Sequence, residues 1–142
     1  MERKPTVNLN DCPVRVFGDQ TWRGKCPSET VEQITFFNRV RKIPVYGLIA
    51  VHPRNEGKRH YKQVTKEKAE GMTKGASDVI IPGSPAFVCE LKRRDRTQSK
   101  WQDGQKEYLD AARKAGAFSC VALGADAAME AFEEWLSLQV RG

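Results

Sequence analysis

The sequence predicts an α/β domain in which a mixed β-sheet is flanked by helices. Three observations carry this expectation. Stretches with apolar residues at helical spacing alternate with short runs rich in β-branched residues. Two of those runs flank Pro82-Gly-Ser-Pro85, a turn signal that reads as a hairpin. The chain has 142 residues, 39% hydrophobic, which suits one compact domain with a core of its own.

Taken in order, residues 1–27 are rich in turn formers and read as an irregular N-terminal extension, with the folded domain at 28–142. A helix is predicted from Ser28, a good N-cap, to about Lys42, with Pro44 ending it; Phe36, Val40 and Ile43 form its apolar stripe. Val45 to His52 is predicted as a strand, with Gly47 a weak point, and a short helix follows through Val64 to Glu70. Asp78-Val-Ile-Ile and Ala86-Phe-Val-Cys-Glu-Leu-Lys supply the hairpin strands. A helix from about Gln102 to Ala115 ends at Gly116, Phe118 to Ala122 reads as a strand, and a last helix starts near Asp126 with Met129, Phe132 and Leu136 on one side. The predicted order is helix, strand, strand, strand, helix, strand, helix.

The formal net charge is +6, which raises the odds of a polyanionic partner without choosing between nucleic acid and an acidic membrane surface. The charge is uneven. Residues 54–74 hold seven basic and three acidic residues, residues 92–100 five and one, whereas Asp126, Glu130, Glu133 and Glu134 make the C-terminal stretch acidic. No run of about 18 apolar residues could span a bilayer. The N-terminus shows no apolar core of a secretory signal, and Cys12, Cys26, Cys89 and Cys120 form no CxxC pair. Free thiols in an intracellular protein are expected, with no membrane partner.

The chemistry centres on Asp78, Glu90 and Lys92. Residues two apart in a strand share a face, so Glu90 and Lys92 point the same way. A four- or five-residue loop sets Asp78 opposite Cys89 or Glu90, and either register puts two carboxylates within reach of one ion. Clustered carboxylates repel, and a divalent cation relieves the repulsion while acting as a Lewis acid. Oxygen ligands suit Mg²⁺ or Mn²⁺ rather than zinc. That assembly fits phosphodiester hydrolysis, with Lys92 positioning water or stabilising the pentacovalent charge. The competing reading is an ordinary strand ion pair, because a lone Glu-x-Lys has little specificity.

At about 100° per residue, Glu29 falls roughly 20° from Phe36 on the core-facing stripe and Glu32 roughly 40° to the other side, with Gln33 one turn beyond Glu29. Glu29 is the preferred further ligand, Glu32 the competitor; the helix dipole would also welcome either residue in a first turn. Gln105 reaches into the site or sits at a helix end. Trp101 and Tyr108 read as packing residues. Lys58, Arg59, Lys66, Lys68, Lys74, Arg93, Arg94 and Arg96 are candidate phosphate contacts on both sides of the hairpin, against the alternative of a solvated charged face.

The stretches NEGKR (55–59), KAEGMTKGASDVIIPG (68–83), FVCELKR (87–93), GQKEYLDAARKAG (104–116) and ALGADAAMEAFEEWL (122–136) resemble the VRR-NUC family, the virus-type replication-repair nucleases of the PD-(D/E)XK superfamily. The resemblance covers roughly residues 28–138. It implies the restriction-endonuclease-like αβββαβ core, Asp78 as the motif aspartate, Glu90-x-Lys92 as the ExK motif and the carbonyl of Leu91 as a further metal ligand. Glu29 and Gln33 match the family's helix-one residues, with Glu32 competing, and Gln105 matches the glutamine after the ExK strand. The resemblance further implies a homodimeric Mg²⁺- or Mn²⁺-dependent endonuclease cutting branched DNA such as four-way junctions in replication, recombination or repair. A non-catalytic or RNA-directed protein on the same fold is the alternative. Residues 1–27 lie outside the resemblance.

Overall fold

A computed structural model describes residues 11–53 and 61–139. Its four-stranded sheet has the order β1-β4-β3-β2, with β1 Arg15–Phe17, β2 Val79–Ile81, β3 Phe87–Lys92 and β4 Phe118–Leu123. β2 pairs antiparallel with β3, while β1 and β3 both run parallel to β4. The helices are α1 Glu29–Val40, α2 Tyr46–Ile49, α3 Tyr61–Ala69, α4 Gln105–Lys114 and α5 Ala125–Ser137. The predicted mixed sheet flanked by helices is present.

The two faces of the sheet bury different cores because successive strand residues point to opposite sides. Phe87, Cys89 and Leu91 face α1 and α5, where they join Phe36, Val40, Phe132 and Trp135. Val88 faces α4 with Leu109 and Val121. Both faces of β3 are thereby covered, and all six of its residues are buried. Aromatic contacts lock the first face: Phe87 lies 5.5 Å from Trp135 and 6.2 Å from Phe132, centroid to centroid. The Trp135 indole N–H is satisfied by the Pro85 carbonyl at 2.7 Å in the hairpin turn.

Two elements differ from expectation. Residues 15–17 are an edge strand, not irregular chain, with Arg15 opposite Cys120 and Phe17 opposite Ala122. Three residues carry too little periodicity to announce a strand, and the partner lies about a hundred residues away. The segment from Val45 to His52 is not a strand: Tyr46–Ile49 forms one helical turn, and only Val51 bridges to Ile80. The Tyr46 ring packs 5.4 Å from that of Trp135. A Cβ on Gly47 would sit 2.6 Å from the Arg41 carbonyl oxygen, so glycine permits a close approach to the end of α1. The first of the three strands implied by αβββαβ is therefore reduced to a bridge on the outer edge of β2.

Candidate active site

The site forms on the α4 side of the sheet, where β2 begins and β3 ends. Val79 pairs with Cys89, so the register continued by one residue places Asp78 opposite Glu90, the second of the two predicted alignments. Asp78 is fixed from two directions. Its Oδ2 accepts the Leu91 amide N–H at 2.8 Å, and its carbonyl accepts from His52 Nδ1 at 2.8 Å. A carbonyl can only accept, so this contact requires the proton on Nδ1. Within a strand the N–H and C=O of one residue point to the same edge. The Leu91 carbonyl therefore faces the Asp78 edge, while its side chain lies in the opposite core.

Glu90 is 1% exposed and Lys92 fully buried. Glu90 Oε1 accepts from Gln105 Nε2 at 2.9 Å, whereas Oε2 has no hydrogen-bond donor. Burial, followed by the charge of Asp78, pushes the Glu90 carboxyl well above the usual carboxylate range; Lys92 opposes the shift. The neighbouring Asp78 carboxylate is itself an acceptor and so leaves Glu90 Oε2 without a donor. Lys92 Nζ donates to Gln105 Oε1 and to the Lys100 carbonyl, both at 2.8 Å, and stands 4.0 Å from Glu29 Oε1 and from Glu90 Oε1. Gln105 thus bridges the two motif residues, accepting from the ammonium and donating to the carboxylate. Its position follows from backbone packing: a Cβ on Gly75 would overlap the Gly104 carbonyl, so the 71–77 loop rests against the start of α4.

Helix α1 supplies the other wall. Ser28 Oγ accepts from the Val31 amide, which starts the helix as the sequence predicts. Glu29 then faces the cleft, with Oε2 accepting from Ser99 Oγ at 2.9 Å. Glu32 is engaged elsewhere. Its Oε2 accepts from the Ala125 amide at 3.2 Å, at the start of α5 and against Gly124. Between Glu29 and Glu32, only Glu29 reaches the cleft.

Glu29, Asp78, Glu90 and Gln105, with His52, Lys74 and Asp103, line a cavity of about 540 Å³. Lys92 lies behind that wall. Among the described residues no three Asp, Glu, His or Cys side chains gather tightly enough to enclose an ion, and Glu29 is turned to Ser99. Asp78 and Glu90 supply a juxtaposed pair, and the donorless Glu90 Oε2 is a buried lone-pair site that suits a hard cation.

The candidate phosphate contacts are dispersed. Lys58 and Arg59 lie outside the described residues. Lys66 and Lys68 are on exposed positions of α3, Lys66 within 3.8 Å of Glu70. Lys74 stands at the cleft, 3.3 Å from Asp103. Arg93 donates to the carbonyls of Cys26 and Pro27, Arg94 lies 4.2 Å over the Trp22 ring, and Arg96 donates to the Gln20 carbonyl. Sequence reasoning missed Ser99 and His52. No motif marks either residue, since their significance comes from partners 70 and 26 residues away.

A scan against protein-family models finds no match, and no curated protein matches. A solved structure described as a VRR_NUC domain protein superimposes with a TM-score of 0.66 and 20% identity, covering 80% of this chain and 92% of that one. The chain shares that protein's fold.

Proposed function

We propose that this chain is a VRR-NUC-type, Mg²⁺- or Mn²⁺-dependent DNA endonuclease that hydrolyses phosphodiesters in branched DNA. One observation carries the reading: two carboxylates from paired strands, Asp78 and Glu90, meet above a fully buried lysine, and Glu90 keeps one oxygen without a donor. Such a pair is costly to bury unless a cation joins it. Structural likeness to a VRR_NUC domain protein and the basic charge of +6 support the same reading.

Asp78, Glu90 and the Leu91 carbonyl would hold the ion, with Glu29 reaching it on turning from Ser99. A divalent ion there would supply Lewis acidity, polarising the phosphodiester and making water more acidic. The chain's own residues do the positioning. The Leu91 amide and His52 hold Asp78 in place. Gln105 aligns Glu90 with Lys92, whose ammonium offsets part of the carboxylates' charge. Glu29 and Asp103 at the mouth repel phosphate until a cation is present, whereas Lys74 attracts it.

Symmetrical incision of a junction needs two centres, which a second copy of the chain would provide. The large exposed apolar residues Val31, Ile34, Val45 and Leu48, on α1 and around α2, offer surface for that contact. The deciding assay compares a four-way DNA junction, linear duplex and matched RNA, with Mg²⁺, Mn²⁺ or EDTA. Metal-dependent cutting of the junction, lost in Asp78→Ala with DNA binding retained, is the expected result. Undiminished cutting by Asp78→Ala overturns the site; no cutting of any substrate by the wild type overturns the enzyme. Sedimentation of the wild type tests the dimer.

A further inference from the structure

Residues 18–27 form a loop with no role in the cleft, yet they are tied firmly beside it. Arg93 donates to the carbonyls of Cys26 and Pro27 at 2.6 and 3.0 Å. Buried Asp95 accepts from the Gly24 amide at 3.1 Å, and Gln98 donates to the Gly24 carbonyl at 2.7 Å. The loop therefore rides on the segment that follows Lys92 and leads directly into Glu29.

The ion pairs among the described residues engage Arg15, Arg39, Lys66, Lys74, Lys92, Lys106, Arg113 and Lys114. Arg23, Lys25 and Arg94, like Arg41, Lys42 and Lys100, enter none of them, and all are exposed; the first three belong to, or pack on, the loop tied beside the cleft. Arg23 donates instead to the Gln20 and Trp22 carbonyls at 3.1 and 2.9 Å, and Arg94 sits over the Trp22 ring. Asp19 feels the charge of Arg94 but holds its own hydrogen bonds with Thr21. Carbonyls and a ring fix a guanidinium without cancelling its charge. A cation restrained in this way loses less freedom when it meets a phosphate than a waving side chain does.

We propose that the 18–27 loop, through Arg23 and Lys25 with Arg94 braced on Trp22, is a second phosphate-contacting surface that carries the arm of the nucleic acid leaving the cleft. Lys25 lies four residues before Glu29, at most about 14 Å along the chain. Over that length a B-form duplex carries roughly eight phosphates on its two strands. A duplex seated at Glu29 and Asp78 that runs toward the loop therefore meets it within one turn. The inference rests on the nuclease reading above and assigns a role to a segment that reading leaves idle.

The test measures binding of a fluorescein-labelled DNA duplex about 20 base pairs long, in Ca²⁺, across a salt series. For Arg23→Gln/Lys25→Gln, the slope of log K against log salt is expected to fall by about 1.8, near 0.9 for each lost phosphate contact. KM should rise severalfold, with kcat and melting temperature unchanged. Arg113→Gln/Lys114→Gln, whose cations pair with Asp110, should leave the slope as in the wild type. An unchanged slope in the loop variant, in a wild type that binds and cuts DNA, overturns this proposal alone. An equal fall in the α4 variant overturns it too, since overall charge would then explain the effect. A loop variant that keeps the slope but disrupts a wild-type dimer shows a protein contact instead. A wild type that binds no DNA removes the nuclease reading itself.

Discussion

Replacing Glu90 by glutamine should make the metal-free protein more stable while destroying its response to metal. Glu90 is 1% exposed, and its Oε2 has no donor while facing the Asp78 carboxylate. A buried charged acceptor left without a partner costs about 1–3 kcal/mol. In Glu90→Gln the amide oxygen still accepts from Gln105 Nε2, and the new NH₂ donates to Asp78, turning repulsion into a hydrogen bond. For a chain of this size the gain corresponds to a melting temperature roughly 3–10 °C higher.

The pH dependence follows from the sign of the shift. The folded-state pKa of Glu90 lies well above the ordinary 4.5. Below 4.5 both folded and unfolded wild type are protonated, and the gain should be small. As pH rises through the raised folded value, the folded wild type must release a proton it prefers to keep, so its stability falls and the variant's advantage grows. The assay is thermal unfolding of both proteins from about pH 4 to 9 in EDTA, repeated with Mg²⁺ and Mn²⁺. Wild type should be stabilised by metal through binding to the folded state, and Glu90→Gln should not. A variant less stable than wild type at about pH 8 in EDTA refutes the argument, because Glu90 would then be contributing to the fold.

Three further perturbations separate the roles of neighbouring groups. Lys92→Met strips the donor from the Lys100 carbonyl and one donor from Gln105, costing about 1–3 kcal/mol in urea unfolding. It also removes the one influence lowering the Glu90 pKa, so the loss should be larger at about pH 8 than at about pH 5. Glu32→Ala removes the acceptor for the Ala125 amide and should cost about 0.5–2 kcal/mol with metal dependence intact; Glu29→Ala should show the reverse, near-normal stability and a raised metal requirement for cleavage. Gly75→Ala forces its Cβ into the Gly104 carbonyl, so α4 shifts and Gln105 leaves Glu90; cleavage should drop more than the DNA affinity measured by anisotropy.

Much of this protein is legible in its residues alone, wherever local periodicity and turn chemistry encode the answer. Ser28 caps α1, the Pro82–Pro85 turn makes the hairpin, and strand alternation puts Glu90 and Lys92 on one face. The resemblance on residues 68–93 extends this to Asp78, and the register then needs only the turn length. Helical phase places Glu29 and Glu32 on either side of one stripe but cannot choose between them. That choice depends on α5, whose Ala125 amide takes Glu32, and on Ser99, which takes Glu29. Only the packed fold makes it. The same holds for β1, whose partner lies about a hundred residues downstream, and for Tyr46–Ile49, where packing against Trp135 outweighs strand propensity. It holds as well for the place of Arg93, a candidate phosphate ligand by sequence, since the Cys26–Pro27 segment it hydrogen-bonds carries no pattern of its own. Contacts between residues distant in the chain leave no periodic trace, because each is set by where two elements dock rather than by the pattern within either one.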